Sequence, residues 1–178
     1  MSDYYGDTSG SLTGKQKGNN QTHAGADLNA GDRTDNFFGD AGVSIINKAK
    51  GGDDTLTAGN NTGSGTLTDN FYGDTYTMSD TAIGGNDVLS GGNNIGSGFV
   101  SNNFFGDAHD MTGSAQGGKD TLTGGSNAGS GSVTNNLYGD AYSMSGSTTS
   151  GNDILTGGGN TGSGIVANIS YGDAFSMT

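Results

Sequence analysis

The chain has 178 residues, 37 of them Gly, with no Pro, Cys or Trp. All 18 acidic residues are Asp, and only 6 basic residues face them, for a formal net charge of −12. With 27 Leu, Ile, Val and Phe in all, the composition excludes a large conventional apolar core, a collagen helix and a disulfide scaffold, and the acid excess argues against a nucleic-acid partner. No apolar run approaches the roughly 18–20 residues of a membrane span.

Residues 1–10, MSDYYGDTSG, carry no basic region followed by an apolar stretch, so no ordinary cleaved signal peptide is expected there. They do contain the first copy of an aromatic-Gly-Asp triplet, Tyr5-Gly6-Asp7. The triplet returns at Phe38-Gly39-Asp40, Tyr72-Gly73-Asp74, Phe105-Gly106-Asp107, Tyr138-Gly139-Asp140 and Tyr171-Gly172-Asp173, each step being 33 residues except one of 34. A second anchor lies between the triplets, at Asp54-Thr55-Leu56, Asp87-Val88-Leu89, Asp120-Thr121-Leu122 and Asp153-Ile154-Leu155. Leu67, Val100, Val133 and Val166 follow Gly-Ser-Gly-x at the same spacing, as do Met78, Met111, Met144 and Met177. The extra residue of the 34-residue unit falls between Asp40 and Asp54.

The chain thus reads as one repeat domain over 1–178. A degenerate unit at 4–36 is followed by regular units at 37–70, 71–103, 104–136 and 137–169 and a partial unit at 170–178. Disordered low-complexity chains have no need of apolar residues at fixed offsets. A parallel β-solenoid does, because stacking its units makes ladders of identical side chains about 4.8 Å apart. Within a unit, Val133, Asn135 and Leu137 alternate against Thr134, Asn136 and Tyr138, and Leu122 opposes Thr121 and Thr123. Gly-Gly and Gly-Asn pairs supply the turns. No segment has an apolar 3.6-residue period, so an all-β fold with almost no helix is expected. Whether 33 residues make one wide coil or two narrow ones is open.

The stretch Gly84-Gly85-Asn86-Asp87-Val88-Leu89-Ser90-Gly91-Gly92 resembles the repeats-in-toxin (haemolysin-type) calcium-binding family, whose nonapeptide reads Gly-Gly-x-Gly-x-Asp-x-apolar-x. Gly118 to Gly125 and Gly151 to Gly158 match likewise, and Gly52-x-Asp54-x-Leu56 matches with Ala58 in place of a Gly. Asn135-Asn136-Leu137-Tyr138-Gly139-Asp140 looks like a degenerate copy. The resemblance implies a parallel β-roll in which turn carbonyls and Asp carboxylates hold Ca²⁺. On it, Asp54, Asp87, Asp120 and Asp153 are the first-choice ligands, and Asp40, Asp74, Asp107, Asp140 and Asp173 the second. Ca²⁺ takes six to eight oxygens and would neutralise an acidic chain as it folds. Each unit keeps only one intact half-repeat, which implies fewer or weaker sites than the family's tandem arrays. The competing reading has the same Asp residues capping turns through the backbone. The resemblance also implies an extracellular protein exported by type I secretion with an uncleaved C-terminal signal.

Catalysis is not expected. His23 and His109 occupy different unit positions with no Cys or Glu partner, no Ser lies in a nucleophile elbow, and no phosphate-binding loop is present. The aromatic triplet reads as core stacking or as a carbohydrate-binding strip, since Phe37-Phe38, Phe71-Tyr72 and Phe104-Phe105 point to opposite strand faces. Thr55/Thr57 and Thr121/Thr123 hint at an ice-binding array, which Val88 and Ile154 interrupt. Residues 1–50 carry six Asp against Lys15, Lys17, Arg33, Lys48 and Lys50, whereas 51–178 carry twelve against Lys119 alone. That asymmetry favours head-to-tail homo-polymerisation into a surface or matrix filament over tail-to-tail contact. A calcium-folded, self-assembling structural protein is therefore the expected function. The alternative is a monomeric binding module for a surface glycan or for ice.

Overall fold

The computed structural model describes residues 2–178; Met1, the first residue of the expected domain, lies outside them. The described residues form an all-β parallel solenoid with no helix, and each 33-residue unit makes one wide coil of three strands. The question the sequence left open is settled in favour of the single wide coil.

The first strands of successive coils are β1 (Ser2–Tyr5), β4 (Arg33–Phe38), β7 (Thr66–Tyr72), β10 (Phe99–Phe105), β13 (Ser132–Tyr138) and β16 (Ile165–Tyr171), and they pair in that order as sheet A. Sheet B stacks β2 (Ser11–Leu12), β5 (Ala41–Ile45), β8 (Thr75–Met78), β11 (Ala108–Met111), β14 (Ala141–Met144) and β17 (Ala174–Met177). Sheet C has five strands, β3 (Thr22–Ala24), β6 (Thr55–Thr57), β9 (Val88–Ser90), β12 (Thr121–Thr123) and β15 (Ile154–Thr156). Every pairing is parallel, and equivalent residues face each other, as in Val100↔Val133, Met111↔Met144 and Leu122↔Leu155. The extra residue is absorbed by a register shift between Ala41 and Ser44, inside the interval that the sequence assigned to it.

Alternation along each strand decides what points inward. In β7, Leu67, Asp69 and Phe71 are buried while Thr66, Thr68 and Asn70 face out. Stacked coils convert these positions into rows: Phe37, Phe71, Phe104 and Leu137 pack on Leu56, Leu89 and Leu122, while Ile45, Met78, Met111 and Met144 pack on Ala49, Ala82 and Ala115. A chain poor in apolar residues builds a core because each coil needs only a few, always in the same place. Burying a Leu or Phe side chain contributes about 1.5–3 kcal/mol.

Polar residues form ladders too. Asn amides both donate and accept, so they stack without conflict. Asn102 Nδ2 donates to Asn135 Oδ1, and Asn135 Nδ2 to Asn168 Oδ1, each at 2.8 Å. On the outer face Asn136, Asn103, Asn70 and Asn36 form a similar chain ending on Asp3.

Candidate metal centre

The aromatic-Gly-Asp and Gly-x-Asp-x-Leu anchors, separate in sequence, meet inside the coil. After sheet A the chain bends at Gly-Asp and enters sheet B, which turns the triplet's Asp inward. Asp40, Asp74, Asp107 and Asp140 are wholly buried. Each accepts from a Gly backbone N–H at the start of the second anchor: Gly52 to Asp40 at 2.8 Å, Gly85 to Asp74 at 3.1 Å, Gly118 to Asp107 at 2.9 Å and Gly151 to Asp140 at 2.7 Å.

The second anchor forms its own row. Asp54 N–H donates to Asp87 Oδ1 at 2.6 Å, Asp87 N–H to Asp120 Oδ1 at 2.7 Å, and Asp120 N–H to Asp153 Oδ1 at 2.9 Å. One oxygen of each of these carboxylates therefore accepts from the backbone of the preceding coil, not from its own turn. The other oxygen, Oδ2 of Asp54, Asp87, Asp120 and Asp153, is buried with no partner, as are Asp40 Oδ1 and Asp140 Oδ2. Water is excluded, so leaving these atoms unpaired costs about 1–3 kcal/mol each, more when charged.

The unpaired Oδ2 atoms of the second row pack against glycines of the triplet. A Cβ on Gly73 would collide with both the Gly106 carbonyl oxygen and Asp87 Oδ2. Gly39, Gly106 and Gly139 repeat this arrangement with Asp54, Asp120 and Asp153 and the carbonyl of the next coil. Glycine thus lets a carboxylate oxygen and a backbone carbonyl oxygen pack side by side against its Cα. Oxygen donors of those two kinds suit a hard cation such as Ca²⁺.

The electrostatics agree. Burial lifts the Asp40 carboxyl to about 7 although Asp74 and Gly52 donate to or share hydrogen bonds with it. Burial also lifts Asp140 to about 7, and Asp54 and Asp120 to about 8. Asp74, Asp87 and Asp107 are raised well above the ordinary carboxylate range, by burial first and by the charge of neighbouring Asp residues of both rows second. Asp153 is raised by burial as well. The rows cannot be ionised together without positive charge between them, whether protons or a metal ion.

Three carboxylates converge most closely at the last rung, where Asp140, Asp153 and Asp173 place one oxygen each within 4.8 Å of one another. These three carboxylates could hold a metal ion, and the donor set does not by itself specify which. All nine sequence-predicted ligands lie along these two rows. The sequence reading passed over Asp7, which continues the triplet row and is held by Asn19 and Gln21. It also passed over Asp35 and Asp69, which are buried on sheet A. Their inward direction was available from the alternation that places Asn135 beside Val133 and Leu137.

The aromatic and histidine candidates lie in stacked rows. Phe38, Tyr72, Phe105, Tyr138 and Tyr171 stack outside the sheet A–sheet B corner with centroids 4.7–5.3 Å apart. Tyr76, His109, Tyr142 and Phe175 stack alongside. His23 stacks on Tyr4 at 3.8 Å. Among the described residues no helix is long and apolar enough to cross a membrane. No known protein family, curated protein or solved structure matches the chain.

Proposed function

We propose that this protein is an extracellular, calcium-dependent structural solenoid of the repeats-in-toxin kind, in which Ca²⁺ fills the two Asp rows and completes folding. The supporting observation is the line of buried, unpartnered Oδ2 atoms, one per coil, each packed beside a backbone carbonyl oxygen against a glycine. Proton-filled rows would serve below neutral pH. At neutral pH and millimolar calcium, as outside cells, a divalent ion replaces several protons and couples binding to folding. The role is structural rather than catalytic, since the same constellation recurs in every coil instead of forming one distinct cleft. Calorimetric titration of chelator-treated protein tests this: several Ca²⁺ per chain with a gain in β-structure is expected, and absence of uptake would remove the metal reading.

Head-to-tail assembly is the second half of the proposal. The charge asymmetry supports it: residues 1–50 carry most of the basic side chains and residues 51–178 most of the Asp, so unlike regions meet in a head-to-tail contact. Sedimentation velocity with and without Ca²⁺ separates a polymer from a compact monomer. The glycan-binding alternative is weakened by the aromatic rows, whose ring faces cover one another and turn mainly edges to solvent, whereas sugars stack on faces. A glycan array with specific retention would revive it.

A further inference from the structure

The inner ladder of sheet A changes chemistry partway along. Its members are Asp35, Asp69, Asn102, Asn135 and Asn168, aligned by strand register. Each Asn is clipped to the Gly ten residues before it. Gly92, Gly125 and Gly158 donate N–H to Oδ1 of Asn102, Asn135 and Asn168 at 3.1, 2.9 and 3.0 Å, and their carbonyls accept from Nδ2 at 3.2, 2.9 and 3.0 Å. The equivalent of those glycines for Asp69 is Gly59. Asp69 has no N–H to give, so the Gly59 carbonyl lacks the side-chain donor its counterparts have.

Asp69 is wholly buried, and neither of its carboxylate oxygens has a partner. Asp35, one coil before, is buried as well. Its Oδ2 accepts from Arg33 Nε at 2.9 Å, and its Oδ1 has no partner. Arg33 offsets one of the two carboxylates and leaves the other uncompensated between the apolar rows of Leu67 and Phe71. A Cβ on Gly92 would collide with the Gly59 carbonyl oxygen and stand 3.3 Å from Asp69 Oδ2. A Cβ on Gly125 would meet Gly92 O and Asn102 Nδ2 in the same way. The carboxylate oxygen therefore lies where the next coil has an amide N–H group, and positive charge is missing from that place.

We propose that Asp35 and Asp69, with the Gly59 carbonyl, form a second divalent-cation site on the inner face of sheet A, separate from the rows at the Gly-Asp corner. The chemistry that selects the ion is that of hard oxygen donors, two buried carboxylates and a carbonyl. A cavity lined by Ser2, His23, Arg33, Asp35 and Phe37 reaches the Asp35 side of this pair. The three downstream coils carry Asn at this position and need no ion, so the site occurs once, at the boundary between the Asp and Asn segments of the ladder.

The test is Ca²⁺ titration calorimetry on the chelator-treated full chain, comparing wild type, D69N and the D87N/D120N double variant. D69N matches the chemistry of coils that already stack, and its folding is checked by far-UV circular dichroism in Ca²⁺. D69N is expected to bind one Ca²⁺ fewer per chain than wild type and to melt at a higher temperature in chelator. N102D, which extends the acidic segment by one coil, is expected to melt lower in chelator and to recover in Ca²⁺. An unchanged Ca²⁺ stoichiometry in D69N overturns the proposal and assigns Asp69 a proton. The corner rows are judged separately: if D87N/D120N retains full stoichiometry while D69N loses one ion, the corner reading fails and this one stands.

Discussion

Two ladders in this solenoid use side chains of nearly the same shape and reach opposite outcomes. In the Asn102–Asn135–Asn168 ladder each amide gives a proton to the next and clips the adjacent glycine, so every polar atom in the repeat unit is answered by the repeat itself. In the Asp54–Asp87–Asp120–Asp153 row each carboxylate can only accept. One oxygen takes a backbone N–H and the other is left over, rung after rung. A stack of identical residues multiplies whatever its single member does. Self-complementary amides become a spine, and acceptors without donors become a line of buried, unpaired oxygens.

The largest expected effect tests that difference through pH. Asp40 and Asp140 titrate near about 7 and Asp54 and Asp120 near about 8 when folded, against about 3.9 for unfolded Asp. Raised folded values mean that the folded state binds more protons than the unfolded one between about pH 4 and pH 8, so stability falls as pH rises through that window. Chelator-treated protein should therefore melt highest near pH 4 and lose structure towards pH 8. Saturating Ca²⁺ should abolish that decline, as read by circular dichroism melts.

D87N/D120N should sharpen the comparison by making part of the Asp row resemble the Asn ladder. In chelator at pH 7.5 it should melt above wild type, because two buried acceptors become amides. In Ca²⁺ it should lose the calcium-dependent gain, about 2.7 kcal/mol for each site that had been held at a hundredfold over its Kd. The reverse change, N135D, should destabilise the chelator-treated protein by about 1–3 kcal/mol, since the Gly125 carbonyl loses its donor and a carboxylate is buried between amides. Urea unfolding measures both. The smallest effect is on the outer face: N103A removes half-exposed links to Asn70 and Asn136 and should cost no more than about 1 kcal/mol.

The periodicity of the chain made much of this legible. The 33-residue spacing, the alternation in 132–138 and the position of the extra residue each match a feature of the fold, down to the shift between Ala41 and Ser44. Both Asp anchors were visible as recurring residues. What the sequence could not convey was that Asp74 reaches the Gly85 N–H eleven residues on while Asp87 reaches the Asp54 backbone one coil back, because those contacts depend on how wide the coil is. Asp35 and Asp69 escaped notice because a repeat search looks for identity, and they differ from the Asn residues they align with.

By itself, the sequence determined an all-β repeat that stacks in parallel register, with Gly at the bends and Asp at two fixed offsets, because a side chain recurring at constant spacing has only its own copies as axial neighbours. The tertiary structure decided that a unit makes one coil rather than two, that the two Asp rows meet at an interior corner, and that one carboxylate oxygen per rung packs unpaired against a glycine. Those outcomes follow from coil closure, which brings together residues 11–15 positions apart that no local pattern relates.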